Sequence, residues 1–408
     1  MKSPLPIFDD IKHISTIDFD AVLPNVDDAV RYDYTHALAF LKSYTGSQGT
    51  FNSYRREIER LLHWCRLIAH KTLIQLKRED IENFIYFCQK PLKSWIGTAK
   101  VPRFRVKEGI RVPNPSWRPF IATLSKTEYR KGERPTLKDF EFNQGSLRET
   151  FAILSAFYNY LLQEEAVAMN PVALIRQKSK FIQKSHAPSK IRRLSTLQWS
   201  YVIATAREMA DTAPDTHERT LFILSALYAM YLRISELAAS ERWTPHMNHF
   251  HRDGDDNWWF TTVGKGNKKR HIAVSDTMLE ALKKWRGFLG LSPLPSPADQ
   301  SPLIPKTKGH GAITNTSYIR KIVQLCFDQT MIRLIQDNHH EEAESLMEAT
   351  VHWLRHTGIS DDVKHRPREH VRDDAGHGSG AITDRYIDVE LKARHRTAKH
   401  KQIEEPTT

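Results

Sequence analysis

Cysteine is scarce: Cys65, Cys88 and Cys326 are the only three in 408 residues, an odd and scattered set that makes neither a disulfide framework nor a zinc-ligand pattern. A reducing cytosol is the expected setting, and the location is read as cytoplasmic. Long apolar runs are missing as well. The start, MKSPLPIFDDIKHI, has no apolar signal core, and the longest apolar stretch, Leu221 to Leu232, is too short to span a bilayer, so no membrane partner is expected. The full spacing of a nucleotide-binding P-loop is also absent, since the short GKG at residues 264–266 does not continue into it. Acidic residues are in deficit: 60 Lys and Arg stand against 48 Asp and Glu, for a net charge of +12 and a pI near 9.4. That balance favours a polyanionic partner, although charge alone does not separate nucleic acid from lipid headgroups.

What is present is a globular composition, with 40% hydrophobic and 26% charged residues, and a length that suggests two or three domains. Residues 1–26 carry Pro4, Pro6 and Pro24 and read as an irregular lead-in. A helical domain is expected over 27–175. Residues 27–44 place Val30, Tyr34, Ala37, Leu38 and Leu41 on one face; residues 50–69 do so with Tyr54, Ile58, Leu61, Leu62 and Cys65. A third helix is predicted over 78–89, and a fourth opens at a Ser146 to Glu149 capping box and runs to Gln163. Between them, residues 90–142 form a Pro-, Lys- and Arg-rich insertion. Its Phe104, Trp117, Phe120 and Tyr129, interleaved with cations, fit either the lining of a DNA groove or a structured loop patching a small core. Residues 176–193 hold Arg176, Lys178, Lys180, Lys184, Lys190, Arg192 and Arg193 with no acid, and read as a basic linker. Ser195 then caps a new helix that starts a second domain over 194–390. Strands over 257–263 and 270–274 flank the turn residues Gly264, Gly266 and Asn267, predicting a β-hairpin in a mostly helical domain. Residues 391–408 are a charged tail.

Several residues of the second domain can carry chemistry, each with a plain alternative. The helix around LYAMYLRISELAAS is apolar for three turns and then presents Arg233, with Glu236 three positions on. Alone, that spacing describes a surface ion pair worth under about 1 kcal/mol. Lys265 sits at a tight glycine turn, where a lysine can reach a ligand but is more often simply solvated. In VHWLRHTGIS, His352 and Arg355 are three apart and share a helical face, with His356 a little further round. The segment lacks the HExxH arrangement of a zinc site, and HMNHFH at residues 246–251 has no second set of ligands. His377 lies in a glycine-bounded turn, and Tyr386 follows nine residues later.

Taken in order, Arg233, Lys265, His352 with Arg355, the GH at 376 and 377, and Tyr386 closely resemble the catalytic pattern of the tyrosine recombinase (phage integrase) family. The resemblance covers about residues 195–390 by motif; the amino-terminal helices match that family's core-binding domain in general layout. It departs in SDDVKHRPREHVRDD at residues 360–374, which is more polar than the family's usual helices there, and in Ala375, where leucine is common.

The resemblance implies a mainly α fold, with a helical core-binding domain and an α+β catalytic domain carrying a small antiparallel sheet, closing as a C-shaped clamp on double-stranded DNA. It implies Arg233, Lys265, His352, Arg355, His377 and Tyr386 as the catalytic set. The arginines and His377 would bind the nonbridging oxygens, Lys265 would protonate the 5′ oxygen, and His352 would orient or deprotonate the tyrosine. Four protomers on paired sites are expected, with a possible accessory or directionality protein. No cofactor and no metal are expected, because arginines neutralise the phosphate. A type IB topoisomerase and a catalytically silent DNA-binding protein are the competing readings.

Overall fold

The computed structural model describes residues 3–15, 22, 26–44, 46–173, 175, 181, 192–241, 243–264, 266–384, 386 and 398–399. Most of the predicted linker at 176–193, most of the tail at 391–408, and Lys265 lie outside them. The chain divides into two compact units, Met1–His186 and Ala187–Thr408.

Among the described residues, the first unit is built on four long helices and one short one. Asp27 caps α1 (Asp28–Ser43) by accepting from the Val30 amide at 2.8 Å, and Ser47 caps α2 (Gln48–Trp64). The helix expected to continue to Ala69 passes at Cys65 into a π-helical turn, which ends at His70 in the left-handed region. Helix α3 (Arg78–Gln89) has the predicted bounds. Helix α5 (Gln144–Gln163), which follows the short α4 (Lys126–Arg130), starts earlier than the Ser146 box implied, because Asn143 caps it and accepts from the Ser146 amide. Phe51, Ile58, Leu61, Phe84, Ile85 and Leu154 interlock in the core, each contributing about 1.5–3 kcal/mol on burial.

The described residues 3–15 of the lead-in belong to this core: Ile7, Phe8 and Ile14 are buried, and the Glu59 carboxylate accepts the Ile7 and Phe8 amides at 2.5 and 3.2 Å. The insertion is structured too. Strand β1 (Ile96–Gly97) pairs in parallel with β4 (Phe120–Ile121), and β2 (Phe104–Lys107) pairs antiparallel with β3 (Ile110–Pro113). Of the two readings of its aromatics, burial favours the structured loop patching a core at three of the four positions. Phe104, Trp117 and Phe120 are buried, with Arg103 stacked 4.5 Å over Trp117 and Arg60 4.4 Å over Phe120. Burial outweighs any use as a stacking platform, and only Tyr129 stays exposed.

In the second unit Ser195 and Gln198 form a capping box at α6 (Thr196–Thr212), followed by α7 (Pro214–Ala229). The chain then breaks, where the sequence predicts one helix through to Arg233. Tyr231 adopts φ 48°, and Arg233 becomes the extended cap of the short α8 (Ile234–Leu237). The antiparallel sheet has three strands in the order β5 (Phe250–Arg252), β6 (Trp258–Val263), β7 (Lys269–Ala273); the predicted hairpin is its β6–β7 part. Helices α9 (Asp276–Phe288), α10 (Thr316–Gln336), α11 (His340–Met347), α12 (Val351–Asp362), α13 (Arg368–Ala375) and α14 (Gly380–Asp384) complete it. Phe222 of α7 stacks on Trp285 of α9 at 5.4 Å in its core. Among the described residues no helix is long and apolar enough to cross a membrane.

Candidate active site

A cavity of about 630 Å³ opens in the second unit where α8, the β6–β7 turn, α12 and the segment after α13 meet. Its walls bring together Arg233, His352, Arg355, His377 and Tyr386, five of the six residues singled out from the sequence. Lys265, the sixth, is outside the described residues, and Lys268 of the same turn and Lys269 at the start of β7 line the cavity.

Charge is organised by a buried carboxylate. Glu236 accepts from the Arg233 amide at 2.8 Å and from Arg233 Nη1 at 3.0 Å, while Arg270 Nη1 and Nη2 grip it at 2.6 and 2.8 Å. Burial alone would raise the Glu236 carboxyl; the hydrogen bonds and charge of Arg270, then Arg233, hold it below its ordinary value. Arg270 also donates from Nε to the Asp374 carbonyl at 2.9 Å, tying the sheet to α13. Two glycines make this possible. A Cβ on Gly264 would lie 2.9 Å from Arg270 Nη1 and 3.0 Å from Glu236 Oε1; one on Gly376, at φ +63°, would lie 2.8 Å from Arg270 Cδ.

Arg355 is almost fully buried, donating to the carbonyls of Tyr231 and Ala375. Burial, then the like charges of Arg233 and Arg270, push its guanidinium down to about 9, still charged at neutral pH. Among the described residues, three guanidiniums against the Glu236 carboxylate leave the cavity with a positive surplus, which is a demand for an anion.

The phenol of Tyr386 is 7% exposed and packs with Tyr231, Ile359, Val371 and Ala375. Its hydroxyl lies 2.6 Å from His356 Nδ1, and its ring stacks on His377 with centroids 5.5 Å apart. The sequence reading gave this place to His352. On α12, however, His352 lies one turn before His356, and the ring facing the phenol is that of His356. The spacing from 352 to 356 is the signal that could have found it. Burial, then His352 and Arg355, bring His356 down to about 4, so at neutral pH its imidazole is uncharged and free to accept the phenol's proton. His377, whose Nδ1 is 2.9 Å from Thr383 Oγ1, is likewise lowered to about 4 by burial and then Arg355. His352 is lowered by burial and Arg355.

The polar stretch at the end of α12 and beyond it has a structural purpose. Asp361 accepts from the Tyr228 hydroxyl at 3.0 Å, Asp362 from that of Tyr231, and Arg366 bridges Asp362 and Asp374 at 3.1 and 2.6 Å. Hydrogen-bonded charge thus takes the place of apolar packing behind Tyr386, and Val371 and Ala375 supply the remaining apolar contacts. His246 and His249 are engaged with each other: the ring of His249 accepts the His246 amide at 3.0 Å and stacks on Trp243.

No family model matches the chain. It is 23% identical over 369 residues to the tyrosine recombinase XerC of Xanthomonas campestris pv. campestris (strain B100), across 88% of this chain and 86% of that protein. To the tyrosine recombinase XerC of Xylella fastidiosa (strain M23) it is 24% identical over 318 residues, across 76% and 82%. Its fold is that of the XerH site-specific recombinase, crystallised on a palindromic difH substrate in a post-cleavage complex, with a TM-score of 0.53 and 12% identity over 98% of this chain and 99% of that one.

Proposed function

We propose that this chain, a site-specific recombinase of the tyrosine recombinase family, cuts and rejoins duplex DNA through a 3′-phosphotyrosine on Tyr386. The observation that carries the reading is the buried phenol of Tyr386, held in one cavity with Arg233, Arg355 and three imidazoles that come from separate stretches of sequence. Such a gathering has no use in a purely structural core, where unpaired cations are costly.

A DNA phosphate entering the cavity meets the guanidinium forks of Arg233 and Arg355, which take the nonbridging oxygens, with His377 and His352 as further donors or acceptors on the rim. The Tyr386 oxygen attacks phosphorus, the phenolic proton passes to His356 Nδ1, and the bond to the 5′ oxygen breaks as that oxygen takes a proton from Lys265. One phosphoester replaces another, so a 5′ hydroxyl from a partner strand can reverse the step without an external energy source. Phosphate arrival neutralises Arg355, one of the charges that depress His356, and so makes the imidazole a better base when substrate is bound. Exchange between two duplexes requires two strand cuts on each, which four copies on paired sites supply.

The test is a set of nicked suicide duplexes taken from the DNA on either side of the gene. Covalent protein–DNA adduct, together with joined products from two duplexes, is the expected result. Binding without adduct would make the chain a silent DNA-binding protein, and adduct without joined products, together with relaxation of a supercoiled plasmid, would make it a topoisomerase.

A further inference from the structure

The β2–β3 hairpin of the insertion is a two-stranded sheet on its own, and such ribbons are marginal in water unless something holds them. Here the base is held firmly. Phe104 is buried, Arg103 pairs with Glu59 and donates to the Phe8 carbonyl, and Arg111 pairs with Asp9, donating from Nη2 at 2.8 Å. The turn is equally defined: Glu108 and Gly109 have φ of 52° and 78°, the paired left-handed conformation of a tight hairpin turn. Residues 105–110 are nevertheless all exposed, so the ribbon projects from an anchored foot.

Its surface is unusual for a hairpin that faces only solvent. Ile110 is 68% exposed and Val106 64%, the former the most exposed large hydrophobic among the described residues. The register pairs Lys107 with Ile110 and Arg105 with Val112, so these four share one face, where two cations flank two apolar side chains. The acid on the ribbon, Glu108, sits at the tip, 4.0 Å from Lys107.

We propose that this ribbon is an auxiliary DNA-binding element, lying in a groove of the duplex with Arg105 and Lys107 on phosphates and Ile110 against sugar or base edges. The major groove, about 12 Å wide, admits a two-stranded ribbon, and apolar side chains between cations match its wall of phosphates and its floor of base edges and thymine methyls. The inference rests on the reading of the chain as a DNA enzyme. It adds to that reading a contact outside the cavity, made by an insertion that a helical DNA-binding domain does not need. Three of the insertion's aromatics, Phe104, Trp117 and Phe120, serve as the hydrophobic footing of the ribbon and its surroundings.

The test uses the full chain and a random-sequence 40-base-pair duplex, measuring affinity between 50 and 200 mM salt. Each phosphate contact contributes about 0.9 to the slope of log affinity against log salt, so the Arg105→Gln, Lys107→Gln double variant loses about 1.8 of slope, equivalent to a salt dependence about 12-fold weaker over that range. A slope unchanged within about 0.5 overturns the proposal. In parallel, Ile110→Cys carrying an azidophenacyl group is irradiated with the duplex; Cys65, Cys88 and Cys326 are buried and do not compete for the label. Crosslinking to DNA is expected. Crosslinking to a second copy of the chain, or none, overturns the proposal. Failure of the wild-type chain to bind duplex at all would instead overturn the parent reading, which keeps the two failures distinct.

Discussion

Replacing Glu236 with glutamine removes the carboxylate that Arg233 and Arg270 share while keeping its shape. In the wild type, two guanidiniums make three hydrogen bonds with this nearly inaccessible group, the Arg233 amide adds a fourth, and Arg355 lies close enough to feel it. Removing one partner of a buried ion pair strands the other, at about 3–5 kcal/mol. That is a large fraction of the roughly 5–15 kcal/mol by which a domain is stable. With a urea slope near 3 kcal/mol per molar, Glu236→Gln should lower the unfolding midpoint by about 1–2 M at low salt and pH 7. The stranded cations then want an anion. Millimolar sulfate should restore a substantial part of the loss in the variant and do much less for the wild type, because binding to the folded state stabilises by mass action. A midpoint shift below about 0.3 M, or an equal sulfate response in both proteins, would refute the view of Glu236 as counter-charge of a phosphate site.

His356→Gln should keep DNA affinity while slowing adduct formation by about 10²–10⁴, the usual worth of a positioned acid or base. A substrate with a sulfur leaving group at the bridging 5′ position should not rescue it, since the lesion is on the nucleophile's side. Gly376→Ala forces a side chain into φ +63° and against Arg270, so the melting temperature should drop by several degrees, with circular dichroism as the check. The pH dependence has a definite sign. His356 and His377 have folded values near 4 against an ordinary 6.5, so between those limits the unfolded chain binds more protons. Stability should therefore fall as pH drops from about 6.5 to 4, and urea titrations of the His356→Gln, His377→Gln variant should show a flatter decline.

Much of this was legible in the sequence because local signals and packing agreed. The period of residues 78–89 carried its bounds unaided, and the glycine turn between β6 and β7 announced the hairpin. Elsewhere tertiary contacts override local pattern. The run into Arg233 contains no glycine or proline, yet the backbone breaks at Tyr231, whose carbonyl is taken by Arg355 and whose hydroxyl by Asp362, both more than a hundred residues away. Strand β5 hid in HMNHFHR because histidines blur the alternation of inward and outward positions. His356 went unassigned to the tyrosine because helical spacing shows which residues share a face, not which ring reaches a phenol thirty residues on. The polar stretch around Asp362, Arg366 and Asp374 reads as a defect in an apolar pattern until Tyr228 and Tyr231 are placed beside it.

The most direct measurement is a peptide map of the covalent adduct formed on a nicked duplex by the wild-type chain and by Tyr386→Phe. The account predicts a phosphodeoxynucleotide on Tyr386 in the wild type, and in the variant full DNA binding with no adduct. An adduct on any other residue, or one that persists in Tyr386→Phe, would contradict it.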